Sequence, residues 1–440
     1  MNVGSGRVLS QRLHRRIAAP ASGLPWYGLA IFTFFFVTQR LPVLFTEFAI
    51  YLALLGVVLR PQDLIFPPPL RWAMVFLLWA FVTALFAIAP ETAWPAFLER
   101  LKALVIFFVV VNTLRTPQQL RFYLLLILVA FVIYPARGTL LGYLHGNTVF
   151  GRAIWNHIYN NPNDLAAITL LMLGLALAIA TVKTQDARVR RAAAALVPVA
   201  LLIILLTQSR GVFLGLLVGF GLPLLARLRK RPSGMAPVLA VLAVIAVLVP
   251  AASWNRLGTI TNLTQTVGET HQSPSSTQGH TPFYLRVADY SAQNRFELLK
   301  IGVRIAASHP VLGVGIGCYN EANERIAPEL GRRDAHNTYV RLAAEMGLPG
   351  LLLWLGLVGS VLAQVRRRRA RIEADDRMIQ VLWIVRAVIG FLVAGVFASY
   401  SGLTIFYLFL GILWAAANVL GRDVTEPVVP PPARRALRAR

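Results

Sequence analysis

The chain has one cysteine among its 440 residues, Cys318, which excludes an intramolecular disulfide and a cysteine-rich metal site. Charge is also scarce. Only 14% of residues are Asp, Glu, Lys or Arg, where soluble globular domains carry nearer a quarter. Acid is scarcer than base, with 19 Asp and Glu against 43 Lys and Arg. Two of the 7 histidines, His271 and His280, fall in the polar stretch 264–282, and their spacing fits no zinc pattern. They read as solvated loop residues, and no metal is expected.

What fills the chain instead is apolar side chain, 57% of it. Apolar runs of about 20 residues recur along most of the length, the signature of transmembrane helices. The expected fold is therefore an all-α polytopic membrane protein. About twelve spans are expected, over 25–40, 43–59, 70–90, 101–114, 120–136, 164–182, 192–208, 211–226, 236–253, 347–364, 379–398 and 402–420. The net charge of +24 invites a nucleic-acid reading, but the basic residues sit in short clusters between apolar runs, as in RLRKR (227–231) and RRRRAR (366–371). A nucleic-acid reader would gather them on a soluble module. Membrane topology explains them better, so the expected surroundings are membrane lipids and no nucleic acid.

Placing the N-terminus in the cytoplasm and alternating the spans puts more than half of the 43 basic residues on the cytoplasmic side, as the positive-inside rule requires. The basic N-terminal stretch then reads as a cytoplasmic tail, without the cleavage site of a signal peptide. The expected organisation is an N-terminal bundle of about nine spans (1–253), a large outer loop with short helices (254–346), about three C-terminal spans (347–420) and a basic cytoplasmic tail (421–440).

From Ala192 to Ala226 the only charged residue is Arg210, in TQSRG (207–211). A guanidinium at mid-membrane costs at least about 2.5–3.5 kcal/mol. The span count makes TQSRG the outward tip of a helical hairpin, where a long side chain can snorkel to water. Anchoring and function are both open for Arg210 at this point.

Three segments of the outer loop carry pattern. In NRFELLKIGVRIAASHPVLGVG (294–315), Phe296, Leu299, Val303 and Ala306 recur at helical spacing, with Arg295, Lys300 and Arg304 off that stripe. This predicts a helix lying on the membrane surface or packed on the bundle. GVGIG (313–317) lacks the Lys-Ser/Thr of a phosphate loop and reads as a tight turn. In RRDAHNTYVRLAAEMGLPG (332–350), Asp334 or Asn337 can cap a helix, and Gly347 and Pro349 interrupt it. His336 then lies at a helix N-terminus, whose dipole disfavours imidazolium and leaves the ring able to accept a proton.

Together TQSRG, HPVLGVGIGCY (309–319), AHNTYVRLAAEMGLPG (335–350) and NNPNDLAAITLLML (160–173) resemble the O-antigen ligase family. The resemblance covers about residues 140–365. It implies a membrane enzyme of the bacterial inner membrane with its site on the periplasmic face. Such an enzyme moves a glycan from an undecaprenyl-diphosphate carrier to an acceptor hydroxyl, on lipid A-core or another glycan or protein, without a cofactor. It implies that His336 is catalytic and that Arg210 and Arg295 bind the donor diphosphate, with Asn337 and Ser209 in support. Guanidinium forks suit phosphate oxygens, and a neutral imidazole suits activation of a hydroxyl. Polymerases and protein-glycan ligases share these motifs and remain alternatives. A transporter of lipid-linked glycans is the alternative of another class. Transporters usually carry acids deep in their spans, whereas here Glu47 and Asp164 lie near outer span ends and Arg386 is the clear mid-span charge.

Overall fold

The computed structural model describes residues 23–40, 42–183, 185–230, 283–372 and 376–421. Fifteen helices and one two-stranded ribbon organise them. The first five are α1 (Leu24–Thr38), α2 (Val43–Val58), α3 (Pro68–Leu85), α4 (Pro90–Thr113) and α5 (Pro117–Phe131). A π-helical turn at Val132–Ala136 joins α5 to α6 (Arg137–Leu144). The ribbon pairs β1 (Thr148–Val149) with β2 (Arg152–Ala153), and α7 (Pro162–Ala180) and α8 (Ala187–Leu206) follow. α9 (Arg210–Leu216) continues through a second π turn, Leu217–Gly221, into α10 (Leu222–Lys230). The rest are α11 (Phe283–Ser308), α12 (Tyr319–Ile326), α13 (Thr338–Ile372), α14 (Asp376–Ala394) and α15 (Thr404–Leu420).

The helix starts are written in the sequence. α3, α4, α5 and α7 each open on a proline. At the first helical position the missing N–H costs nothing and the fixed φ is already helical. Thr116 and Gln119 add a reciprocal capping box at the start of α5. Where lipid surrounds a segment, every backbone polar group must be satisfied internally, and helices do this within themselves. Five described helical stretches are long and apolar enough to cross a membrane: 68–85, 117–144, 162–180, 187–206 and 338–368. Shorter apolar helices are α1, most of α2, 210–226, most of α14 and α15.

α7 and α15 form the centre. Every residue from Ile405 to Leu420 is buried, as is most of α7. α7 packs on α8 and α14, α15 on α4, and α3 on α13. The outward faces of α2 and α3 carry Leu44, Phe45, Phe48, Trp72, Met74 and Leu78, all exposed and apolar as a lipid-facing surface requires. α9 and the π turn after it approach α14 closely because Gly215 and Gly219 lie against the backbone of Gly390 and Arg386, where a side chain would collide.

Helix occupies each expected span among the described residues. The ninth, 236–253, and the C-terminal tail lie outside them. Three boundaries differ from expectation. The run 70–90 is broken, since α3 stops at Leu85 and α4 starts at Pro90. α4 therefore begins well before residue 101 and takes in Glu91, Glu99, Arg100 and Lys102. Lys102 is paired to Glu47 and Glu99, and Arg100 donates from Nη1 to the Tyr407 hydroxyl. Within 254–346, where short helices were expected, α11 contributes a helix that has 26 residues.

Candidate functional site

The hairpin between α8 and α9 turns through Thr207, Gln208 and Ser209, with Gln208 at φ 52. The turn is not a bare tip. Thr207, Gln208 and Ser209 are all buried, and Arg210 is half-buried. The β1–β2 ribbon covers one side. Arg152 donates from Nε to the Thr207 carbonyl (2.8 Å) and from Nη2 to Asn163 Oδ1 (2.8 Å). Gln208 Nε2 donates to the Gly151 carbonyl at 3.2 Å. Ser209 makes no cap for α9; its hydroxyl donates to the same Asn163 Oδ1, at 2.9 Å. Asn163 lies in the first turn of α7, held by the Asn161 side chain. Ser209 therefore has a structural partner, and Arg210 follows it as the first residue of α9.

His336 lies just ahead of α13, at φ 50. Left-handed backbone is uncommon for a residue other than glycine, though His, Asn and Asp enter it most readily. Asn337 is the cap, its Oδ1 accepting the N–H groups of Tyr339 (2.9 Å) and Val340 (3.0 Å). Asp334 has another task. Its Oδ1 pairs with Arg341 at 2.7 Å, while its Oδ2 accepts the His336 N–H at 3.3 Å and faces His336 Nδ1 at 3.7 Å. Arg341 continues to the buried Glu345, at 2.7 Å. The helix dipole is thus not the only field on the ring, because a carboxylate beside Nδ1 opposes it.

The two segments meet on one loop, residues 395–403, between α14 and α15. Thr338 donates its N–H to Gly395 and its hydroxyl to Ala398, and accepts the Tyr400 N–H, at 2.8, 2.7 and 2.8 Å. The buried Tyr400 donates its hydroxyl to the Asn163 carbonyl at 3.0 Å. Gly211 abuts Phe397, so a Cβ there would stand 2.6 Å from the phenylalanine Cβ. The carboxylates of Asp164 and Asp334 are near enough for the charge of one to act on the other. The hairpin turn, the NPND turn (161–164) and the His336 segment are thus neighbours at one end of the bundle.

GVGIG is a turn, as expected. Gly313, Gly315 and Gly317 all take positive φ. The loop meets the kink at Gly347 (φ 69, ψ 178), where α13 loses helical geometry for one residue and then resumes. Val314 and Gly315 donate to the carbonyls of Ala344 and Glu345, and Leu348 donates to that of Pro310, at 2.9, 2.9 and 2.8 Å. This docking roots the start of α13, and with it His336. Cys318 is buried just beyond, and burial pushes its thiol up to about 11.

Arg295 lies on α11, but its side chain is outside the described residues, so it is not assigned to the site geometrically. The face of α11 that packs inward is Leu298, Ile301 and Ile305, not the stripe expected from periodicity. Phe296 and Val303 of that stripe are exposed, and Lys300 lies over the Phe296 ring. Gly302 lets the helix sit against Val340 and the Tyr319 hydroxyl.

Arg152, Asn163, Asp334, Arg341 and Tyr400 were not singled out for the site by sequence reasoning. Asn163 had a signal as part of the NNPND segment and Asp334 as a cap candidate; the others are joined by contacts distant in sequence or by a side-chain geometry that spacing does not specify. Among the described residues, no cluster of three or more His, Cys, Asp or Glu could hold a metal ion.

Residues 193–355 match the model of a family described as O-antigen ligase. The match begins in α8, takes in the hairpin turn and His336, and ends in α13. No curated protein matches the chain.

Proposed function

From the premise that this membrane protein carries an O-antigen ligase family domain over residues 193–355, we propose a glycosyltransferase working from a lipid carrier. The donor is a glycan on undecaprenyl diphosphate, the acceptor a hydroxyl of lipid A-core or a comparable glycan. The reaction takes place at the periplasmic face of the inner membrane, with both termini in the cytoplasm. The observation that carries this reading is the meeting of the Arg210 turn and the His336 segment on the loop 395–403.

In this reading, Arg210 binds the diphosphate, with Arg295 as a second guanidinium. As the glycosidic bond breaks, negative charge gathers on the leaving diphosphate, and a fixed cation there favours the transition state over the ground state. The acceptor hydroxyl is a weak nucleophile. His336 removes its proton as general base. Asn337 caps α13, and Ser209 fixes the turn before Arg210, so both act by position. A donor with a polyprenyl tail reaches such a site from the membrane.

The test is transfer by purified protein in detergent, where no membrane potential exists. His336→Ala should lower turnover by about 10²–10⁴-fold, the usual share of base catalysis, while donor binding persists. The wild-type rate should fall on acidification as the imidazole takes a proton. A stable, donor-binding His336→Ala protein with near-normal turnover overturns the role. A wild-type protein that moves donor across vesicles but transfers no glycan favours transport. Deleting the gene separates the family alternatives: single repeat units mean a polymerase, and polymer left on its carrier means a ligase.

A further inference from the structure

We propose that Asp334 is a positioning residue acting through His336: it fixes the imidazole with Nε2 toward the acceptor and stabilises the imidazolium formed during transfer. The proposal rests on the reading of His336 as the base. Its geometric footing is separate. The two oxygens of Asp334 divide their work. Oδ1 is fastened to Arg341 Nη1 at 2.7 Å. Oδ2 accepts the His336 backbone N–H at 3.3 Å and faces its Nδ1 at 3.7 Å. One carboxylate oxygen therefore addresses both the backbone and the ring of the same histidine.

The carboxylate is itself held. Arg341 Nε reaches Glu345 Oε1 at 2.7 Å, and Glu345 is buried, its backbone carbonyl taking the Gly315 N–H at 2.9 Å. Asp334 cannot swing away without breaking this series. His336 keeps a left-handed backbone, a conformation that its hydrogen bonds to the neighbouring side chains help to hold. The Asp334 acceptor on one side and the Asn337 cap on the other supply that constraint.

A ring with Nδ1 turned to a carboxylate favours the Nδ1–H tautomer, which leaves Nε2 as the acceptor. In transfer, the acceptor O–H proton passes to Nε2. The freed oxygen bonds to the anomeric carbon, and the bond from that carbon to the carrier phosphate breaks with its electron pair on the diphosphate. The imidazolium so formed stands beside Asp334. Arg341 on α13 offsets part of the carboxylate's field. Among the described residues, Asp164 from α7 and Tyr319 from α12 also feel the Asp334 charge, and Glu345 on the same helix shares Arg341 with it. The expected effect on His336 is consequently moderate.

Asp334→Asn keeps the size and an oxygen for Arg341 while removing the charge. Turnover should fall about 10–100-fold, by analogy with the loss of a carboxylate that orients a metal-bound histidine. The acid limb of the rate profile should move down by about half a pH unit to one unit. In a His336→Ala background the same substitution should cost nothing further. An unmoved acid limb, or an equal loss in the His336→Ala background, overturns the proposal. If Asp334→Asn does not fold, Asp334→Glu is the variant to measure: it retains the charge and should keep the acid limb with a lower rate, and a limb shifted downward counts against the proposal. A fully active His336→Ala protein removes both the parent reading and this one, whereas an inactive His336→Ala with unaffected Asp334→Asn removes this one alone.

Discussion

Replacing Arg152 by Met should uncouple the ribbon from the hairpin turn without unfolding the bundle. The guanidinium bridges three segments: β2, the turn at Thr207 and the start of α7 at Asn163, the last two each reached at 2.8 Å. A hydrogen bond from a charged donor contributes about 1.5–3 kcal/mol when its surroundings exclude water. Thr207 is fully buried, but Arg152 is only half-buried, so the pair together is worth about 2–4 kcal/mol. If that free energy holds Arg210 where the leaving phosphate needs it, losing it slows transfer about 30- to 1,000-fold. Met retains most of the side-chain hydrocarbon, and the Gln208 bond to Gly151 still docks the ribbon. The thermal midpoint should therefore move by a few degrees at most. Lys reaches one acceptor but not both, and should recover part of the rate. The assay is transfer by purified protein over a range of donor concentrations. A folded Arg152→Met protein within twofold of wild type would refute the positioning argument.

Arg210→Lys should fold and transfer poorly, because the ammonium keeps the charge and loses the fork; full turnover in Lys but not in Ala would mean a point charge suffices. Phe150 is 84% exposed at the ribbon tip, so Phe150→Cys should react from outside intact cells with an impermeant maleimide, and labelling only after the membrane is opened would invert the orientation. Cys318 in the same protein should stay unlabelled until denaturation, since it is buried. Its thiol is raised to about 11 in the fold, above the ordinary value near 8.5, so the protonated form is the favoured native one. Its contribution to stability is complete below about 8.5 and lost as pH rises through about 11; stoichiometric alkylation of native protein at pH 8 would contradict this.

Apolar runs located the helices because burial and lipid contact both select hydrocarbon. They misplaced the end of α3 for the same reason. Phe86, Ala87 and Ile88 keep the run apolar after the helix has stopped at Leu85, and the true signal was Pro90 opening the next one. On α11, both faces carry apolar side chains. Periodicity selected Phe296 and Val303, whereas the bundle takes Leu298, Ile301 and Ile305. The Asn337 cap was legible as one of two candidates, because its preference is local. Asp334, the other candidate, pairs instead with Arg341, a choice that depends on side-chain geometry. Arg152 and Tyr400 were illegible because their partners lie far away in the chain, and no spacing rule connects a ribbon, a helix start and an inter-span loop.

The same hydrogen bonds serve two requirements at this end of the bundle. Turns at 207–209 and 395–403 interrupt the helices, and each interruption frees carbonyls and N–H groups that buried surroundings make costly to leave unpaired. Arg152 takes the Thr207 carbonyl, and Thr338 takes those of Gly395 and Ala398. Each bond that satisfies backbone also fixes a segment bearing a proposed site residue. Catalysis by positioned groups needs that rigidity, since a displacement of about 1 Å can cost 10²-fold. Truncation here consequently mixes lost stability with lost geometry. Substitutions that keep volume and change only the hydrogen-bonding head, such as Arg152→Met and Asp334→Asn, separate the two: a purely structural network predicts loss of rate in step with loss of fold, and a positioning network predicts that rate falls first.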